Sequence, residues 1–420
     1  MAKIDVCELE PGMVLANDLS DQNGRFLLGK GVKLTSKHLK IFKMWGVVEA
    51  NIEGISEKDV DAKRTAHMDP AILGAADRLT RERFIHTDLE HEAIRQLFHI
   101  CVLRKAQEIT NGPHPAGVGK MCNHSAHLDH GPLTENTRTK IDPTELIRKN
   151  IKLPTLPIIC NQLNEAIIDP RSSATHIANI ISKDSSLSAR LLKIVNSAFY
   201  GFPSEIDTIS RAVAIIGTKE VRDVALGTSA LAVFKDIPSD LIDMTSFWEH
   251  SIACGIIARI ISSHKNNTTT ERFFLAGLLH DIGRLIMFKY FPLQAKEALL
   301  RARRTNSLLY KTEEEVMGCN HTLIGGMLLK KWKLPVILEN SIRYHHAYTE
   351  HQSPLESAVV HLSDIITNAL GIGTSGEQFV PPLDTEAWEE IGLSTGILRA
   401  TVKQADRHIA ETVQIFLPNE

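Results

Sequence analysis

The chain has 420 residues, enough for two or three domains at roughly 100–200 residues each. Its 43% hydrophobic and 23% charged residues are typical of a globular protein. Lys and Arg total 47 against 50 Asp and Glu, and a net charge of −3 argues against a protein that coats nucleic acid or an anionic membrane. The compositional oddity is histidine: 19 His outnumber 14 Phe.

Targeting and redox signals are weak. The first residues lack the apolar core of a secretory signal, and no segment reaches the roughly 20 apolar residues that span a bilayer. The six Cys residues are scattered without a Cys-x-x-Cys pair. We therefore expect a cytoplasmic protein with reduced thiols and with neither a membrane nor a nucleic-acid partner.

Residues 1–56 are expected to form a small α+β module. Short apolar runs separated by Gly predict a hairpin within residues 24–34, followed by a helix to Trp45 and a strand over 47–52. Apolar positions at helical spacing then predict a helical connector over 57–112.

Residues 113–141 lack periodicity and are expected to be a linker. Their Cys and His side chains are numerous enough to bind Zn²⁺, but their spacing matches no zinc finger and only one thiolate is present. A solvated polar loop is the alternative. The residues concerned are His114, Cys122, His124, His127 and His130.

Residues 142–420 are expected to form an all-α domain, since apolar residues recur at three- and four-residue steps and no strand alternation is present. The fold class is therefore mainly α, with the small α+β module in front. Predicted helices include 174–183, 185–199, 209–216, 247–263, 271–290, 293–304, 322–331, 335–345, 355–370 and 397–415.

A His-Asp pair interrupts one very apolar helix. Residues 273–288 are apolar nearly all round, which predicts a buried helix that contains His280 and Asp281. Such groups are costly to bury unless they are paired or bind a metal. The simpler interpretation is an ion pair between Asp281 and Arg284, three residues apart, beside a hydrogen-bonded core histidine.

Other apolar helices repeat the anomaly. His250, His321, the pair His345-His346 and Asp364 all lie at positions that should face the core. Imidazole and carboxylate groups that converge from separate helices can build a mono- or dinuclear metal site. Together with His280 and Asp281, these residues predict a metal centre.

The order of these residues resembles the HD superfamily of metal-dependent phosphohydrolases. The resemblance implies that His250, His280, Asp281 and Asp364 bind a first metal. It further implies that a second metal is bound by His321, His345 and His346, with Asp281 as a bridge. Asp281 would then be catalytic, and Arg284 would help to hold phosphate. The expected cofactor is one or two divalent ions of Fe, Mn, Mg or Zn.

Motifs both upstream of the His-Asp pair and around it resemble the HDOD domain across roughly residues 145–370. They are LPTLP at 153–157, NSAFYG at 196–201, FWEH at 247–250, LLHDIG at 278–283 and WKLP at 332–335. The resemblance implies a bacterial signalling output domain, often without demonstrated enzymatic activity. Residues 5–54 look like a small module often found ahead of HD-type signalling domains.

Three departures from the pattern of active family members limit the activity that can be expected. The residues after His346 carry no Gly-Tyr-Pro signature, and Ser246 stands where cyclic-di-GMP phosphodiesterases of this superfamily carry a further carboxylate. Cleavage of cyclic-di-GMP is therefore not expected. Arg284 occupies the position where many active members carry Lys, and the two side chains bind phosphate with different geometry.

Two functions remain open. The first is a signalling protein whose HDOD domain binds partner proteins, with a structural or regulatory metal and with the 69–110 helices as transmitter or dimer contact. The second is an active metal-dependent phosphohydrolase that acts on nucleotides or other phosphoesters. The partners expected are signalling proteins, a phosphorylated small molecule and a second copy in a homodimer.

Overall fold

The computed structural model is almost entirely helical beyond the N-terminal module. It describes residues 2–6, 9–20, 26–44, 47, 49–55, 68–111, 154–169, 171–197, 200–202, 204–234, 237–265, 270–348 and 355–417. Within these ranges the strands all lie before residue 53. The predicted class, a helical domain preceded by a small α+β region, is confirmed.

The N-terminal module contains two short antiparallel strand pairs and one helix. β1 (Ala2–Asp5) pairs with β4 (Glu49–Ile52), β2 (Leu19–Ser20) pairs with β3 (Phe26–Leu28), and α1 spans Ser36–Met44. The hairpin predicted within 24–34 is wrong, because this segment pairs with residues 12–20 instead. The backbone N–H of Leu15 donates to the Val32 carbonyl and that of Leu34 to the Met13 carbonyl, so both leucines are buried in the module core.

Two helices from the predicted connector join the core of the C-terminal helices. α2 (Pro70–Arg83) packs against α3 (Glu92–Asn111), and α3 contacts the helices at 355–370 and 397–416. Ile94 and Leu97 of α3 are buried among the residues of those helices. The division of the chain at residues 56, 112 and 141 stays a prediction, although α2 and α3 share a core with the helices C-terminal to them.

Five helices then build a separate, smaller core. Side-chain caps fix the starts of three of them, since Ser173, Asp184 and Thr208 each accept a hydrogen bond from a backbone N–H in the first turn. The helices are α4 (Ile158–Ile168), α5 (Ala174–Ser182), α6 (Ser185–Val195), α7 (Ile209–Ile216) and α8 (Thr218–Val233).

The remaining helices surround α9, which spans Met244–His264 and is apolar on nearly every face. α9 packs against the helices at 270–279, 355–370 and 397–416, which places it at the centre of the larger core. Among the described residues no helix combines the length and hydropathy needed to cross a membrane. The other helices are α10 (Thr270–Leu279), α11 (Ile282–Tyr290), α12 (Pro292–Thr305), α13 (Leu309–Met317), α14 (His321–Lys331), α15 (Val336–Arg343), α16 (Leu355–Leu370), α17 (Thr385–Ile391) and α18 (Ile397–Phe416).

The single helix predicted over 271–290 is wrong, because the chain leaves the helical path at His280 and Asp281. α10 ends at Leu279 and α11 begins at Ile282. Asp281 has a ψ of 9°, and its carbonyl accepts a hydrogen bond from the backbone N–H of Arg284. Both predicted ligands therefore lie in the break, where adjacent side chains can point into the same space.

Glycine permits the close approach of α11 and α14. A Cβ on Gly283 would lie 2.0 Å from the carbonyl oxygen of His321, a distance that no real contact tolerates. We expect Gly283→Ala to lower the free energy of unfolding by about 1–3 kcal/mol in a denaturant titration, because α11 and α14 would be forced apart. Gly74→Ala is the matched control: its Cβ would meet nothing closer than 3.8 Å, so it should not destabilise the protein. Equal effects of the two variants would contradict the packing argument.

Candidate metal centre

The seven residues predicted as metal ligands lie in two adjoining groups. The first contains His250, His280, Asp281 and Asp364, and the second contains His321, His345 and His346. Within each group the potential ligand atoms all lie within 4.8 Å of one another. They come from α9, the α10–α11 break, the start of α14, the segment after α15, and α16. Tertiary packing therefore brings together five separate parts of the chain.

In the first group two imidazoles face two carboxylates. The Nε2 atoms of His250 and His280 lie 3.2 and 3.3 Å from Asp364 Oδ1. His280 Nε2 is also 3.2 Å from Asp281 Oδ2, and His250 Nε2 is 3.7 Å from the same oxygen. Four ligand atoms of the kinds that first-row divalent ions prefer thus surround one point.

Asp281 joins the first group to the second. Its Oδ1 atom lies 3.0 Å from His321 Nε2, while its Oδ2 atom faces His250 and His280. The Nε2 atoms of His321 and His345 are 3.4 Å apart. One carboxylate therefore offers one oxygen to each group, the arrangement that a bridging ligand requires.

Hydrogen bonds at Nδ1 fix the orientation of three of the imidazoles. Nδ1 lies 2.7 Å from the Gly277 carbonyl in His280 and 2.7 Å from the Ile342 carbonyl in His345. Because a carbonyl only accepts hydrogen bonds, the Nδ1 atoms of His280 and His345 must carry the proton. In His321, Nδ1 lies 2.6 Å from Glu313 Oε2. The Nε2 lone pairs are therefore left for the centre, as in metal-binding histidines supported by outer hydrogen bonds.

Several buried polar atoms at the centre have no hydrogen-bond partner among the described residues. They include both ring nitrogens of His250, Nε2 of His280 and Oδ1 of Asp281. Unpaired buried groups of this kind cost about 1–3 kcal/mol each. A divalent cation would satisfy the inward-facing atoms at once, so the residues present fit a metal site.

Arg284 is also at the centre, but its guanidinium is engaged on several sides. Nη1 donates to Asp281 Oδ2 at 2.9 Å and to Ser375 Oγ at 2.5 Å, and Nε donates to Glu313 Oε1 at 2.9 Å. The predicted ion pair between Asp281 and Arg284 is thus present beside the histidine cluster. Arg284 is 2% exposed, so it faces these partners rather than solvent.

Burial sets the charge state of two members of the second group. It holds the pKa values of His345 and His346 well below their usual range, and neighbouring imidazoles lower them further. Burial would also lower the pKa values of His280 and His321, but nearby carboxylates raise them above their usual range. Burial would raise the pKa of Asp281, but the charges of Arg284 and the nearby histidines hold it well below its usual range. Neutral imidazole and ionised carboxylate are the forms that bind metals.

Three residues that the sequence patterns did not indicate support this cluster. Glu313 accepts hydrogen bonds from both the backbone N–H and Nδ1 of His321. His361 donates from Nδ1 to the carbonyl of His345 at 2.6 Å and accepts at Nε2 from the backbone N–H of Asp384. Tyr310 stacks on His346 at 4.5 Å between ring centroids. The periodicity of α13 was the available signal for Glu313, because it shares the inward face with Leu309 and Val316.

The centre is closed on most sides. Of the seven predicted ligands, six are at most 4% exposed, and His346 alone is partly exposed. Sites of this type that hold a structural ion are closed, whereas catalytic sites keep an open position for water and substrate.

The segment for which a solvated polar loop was favoured over a zinc site lies outside the described residues; it contains His114, Cys122, His124, His127 and His130. The spacing argument made from the sequence stays a prediction for that segment.

Comparison with known proteins finds a family match that covers six of the seven predicted ligands, while Asp364 lies beyond its C-terminal end. The sequence model of the HDOD domain matches residues 153–348. An uncharacterized protein of Treponema pallidum (strain Nichols) is 26% identical over 212 residues, which are 49% of this chain and 40% of that protein. The chain therefore matches less than half the length of this relative.

Two solved structures share the fold. One is an HDOD domain protein of unknown function from Geobacter sulfurreducens, with 23% identity and a TM-score of 0.55 over 66% of this chain and 97% of that chain. The other comes from Shewanella amazonensis SB2B and has a provisional designation as a phosphohydrolase. It shows 22% identity and a TM-score of 0.52 over 64% of this chain and 97% of that chain.

Proposed function

The chain carries an HDOD domain over residues 153–348, and from that premise we propose that it is a bacterial signalling protein that binds partner proteins. In this proposal the His and Asp cluster holds one or two divalent ions with a structural or regulatory role. The 69–110 helices transmit a signal to the domain or receive one from it, since α3 is packed directly against α16 and α18.

The observation that carries the proposal is the position of Arg284. Its guanidinium is buried between Asp281, Glu313 and Ser375, so it has little freedom to turn toward a phosphoryl group. An arginine that held substrate phosphate would need donors directed at an open pocket. Arg284 instead ties the predicted bridging carboxylate to α13, which is a structural task.

The individual residues have defined parts in this proposal. His250, His280, His321 and His345 would present Nε2 to the ions, and Asp281 would share its two oxygens between the two groups. A bound divalent ion would supply Lewis acidity and lower the pKa of bound water. Glu313, His361 and Asn368 would act as positioning residues, since each hydrogen-bonds a ligand residue rather than the centre itself.

A second candidate function is a metal-dependent phosphohydrolase. The observation that favours it is the completeness of the set, since all seven predicted ligands lie in two compact groups with Asp281 between them. His346, partly exposed and stacked on Tyr310, would then mark the side on which substrate approaches.

Hydrolysis of phosphoesters distinguishes the two candidate functions. We expect the purified protein to bind divalent metal in stoichiometric amount and to show no hydrolysis of generic phosphomonoesters or phosphodiesters with Mn²⁺, Fe²⁺ or Mg²⁺, because Arg284 is held away from substrate. Turnover that Asp281→Asn abolishes, with folding intact by circular dichroism, would favour the phosphohydrolase. Asp77→Asn is the matched control, because Asp77 lies on the outer face of α2 and pairs only with Arg81 among the described side chains.

A further inference from the structure

A pocket lies where α2 and α3 meet the C-terminal end of α16. Its volume is about 120 Å³, and it is lined by α2, α3 and the end of α16. Its size approaches that of the roughly 150 Å³ engineered cavity that holds benzene. The pocket lies beyond the ligands of the metal centre, and the proposed function makes no use of it.

Arg83, the last residue of α2, reaches into this pocket. Its Nη2 donates to the carbonyl of Asn368 at 2.5 Å, which is near the C-terminal end of α16. Among the described residues no carboxylate lies within 4.0 Å of its guanidinium. Burial lowers the pKa of Arg83, although Cys101, Glu108 and Glu377 oppose this effect. The arginine therefore carries a poorly compensated charge with more donors than the helix end uses.

The other cations of the pocket have partners of their own. Arg104 pairs with Asp406 at 2.5 Å, and Lys105 pairs with Glu108 at 3.0 Å. Each of these pairs is partly exposed at the pocket. The lining therefore holds three cations, and Arg83 is the one whose acceptor is a neutral carbonyl.

Gly371 leaves room for the guanidinium of Arg83. Gly371 has a φ of +70°, and a Cβ there would lie 2.6 Å from Arg83 Nη1. A side chain at this position would displace the guanidinium from the pocket wall. The absence of one lets the guanidinium of Arg83 approach the backbone at Gly371.

We propose that this pocket binds a small oxyanion, a phosphate or carboxylate group, on Arg83 with support from Arg104 and Lys105. A planar guanidinium matches both groups by paired N–H···O bonds, and the neighbouring cations add attraction. The pocket volume limits the ligand to a compact molecule, and Leu79 and Leu370 provide an apolar wall for a short carbon chain.

A single residue, Asn368, connects the pocket to the metal centre. Asn368, whose carbonyl accepts from Arg83, donates from Nδ2 to Asp364 Oδ1 at 2.8 Å. A ligand that draws Arg83 from the helix end therefore acts on the residue that orients Asp364. This connection gives the site a regulatory position, while the binding itself does not depend on a bound metal.

The test is isothermal titration calorimetry of the metal-free full chain with inorganic phosphate and, separately, with succinate at low ionic strength. Chelation of metal excludes binding at the His and Asp cluster. We expect one anion per chain, with affinity reduced about tenfold or more in Arg83→Gln because charge-assisted hydrogen bonds are lost. Arg81→Gln is the matched control, since Arg81 lies on the same helix and pairs with Asp77.

A second variant distinguishes a change at the binding site from a general folding defect. Glu82 is an exposed residue of the pocket wall, and Glu82→Gln removes a negative charge that repels the ligand. We expect this variant to bind more tightly, which is the opposite direction to Arg83→Gln. Preference for phosphate or for succinate identifies the source of the oxyanion. No binding of either probe to the parent protein, or equal binding by Arg83→Gln and the parent, would overturn the proposal.

Discussion

Replacing Asp281 by Ala is expected to lower the free energy of unfolding by about 3–5 kcal/mol, because it leaves Arg284 charged and only partly compensated inside the core. Arg284 would keep Glu313 and lose the carboxylate on its other side. The measurement is a denaturant titration at neutral pH with metal removed by chelation. Under those conditions a difference reports the ion pair and not a lost metal.

Two further variants define the source of this loss. Asp77→Ala removes a carboxylate from the exposed pair with Arg81 and should cost about 0.3–0.5 kcal/mol. The double change Asp281→Leu with Arg284→Met removes both members of this pair, leaves Glu313 with His321 as its partner, and should recover part of the stability. If Asp281→Ala cost no more than Asp77→Ala, the buried pair would not contribute as described.

Metal removal is the second large effect expected. If the cluster holds its ion in the folded state alone, an ion present at 100 times its dissociation constant stabilises the protein by about 2.7 kcal/mol, and chelation removes that amount. Glu313→Gln should weaken metal affinity by about 10–100-fold, because the amide no longer accepts a charge-assisted hydrogen bond from His321. Competition with a chromophoric chelator measures the affinity, and thermal unfolding measures the stability.

The chain supplies a matched control for this experiment. Glu314 is adjacent to Glu313 on α13 but exposed, so Glu314→Gln should leave metal affinity unchanged. An equal affinity in Glu313→Gln and Glu314→Gln would contradict the positioning role of Glu313. Unchanged stability on chelation, with metal bound beforehand, would show that the ion is also held by the unfolded chain.

The sequence predicted the helices and the seven converging residues because both depend on local pattern. Apolar periodicity marks a helix whatever its neighbours are, and His or Asp on such a face is anomalous wherever it lies. The break at His280 and Asp281 could not be predicted in this way, since the apolar pattern continues through it from α10 into α11. The close packing of Gly283 against His321 determines how α11 crosses α14. Because this contact joins residues far apart in the chain, a local sequence pattern does not reveal it.

The residues that hydrogen-bond the predicted ligands could not be identified from the sequence for a similar reason. Glu313 stands in a run of three glutamates, Glu313-Glu314-Glu315, that is typical of a solvated face. Its burial results from the packing of α13 near Arg284 and His321, which periodicity in a nine-residue helix barely indicates. The pairing of residues 12–20 with 26–34 was not predicted because local turn signals favour the nearest partner, and the tertiary fold selected a more distant one.

The stacked rings of Tyr310 and His346 bear on how quickly an ion exchanges. His346 is the partly exposed member of the seven, and Tyr310 covers it at 4.5 Å. Of the seven predicted ligands, His346 is therefore the one most accessible to bulk water. An ion that left the centre past His346 would require the rings of Tyr310 and His346 to separate. The residence time of the ion would then depend on this side-chain motion as well as on the strength of its bonds to the ligands. Tyr310 would therefore influence the rate of metal exchange without itself being a ligand.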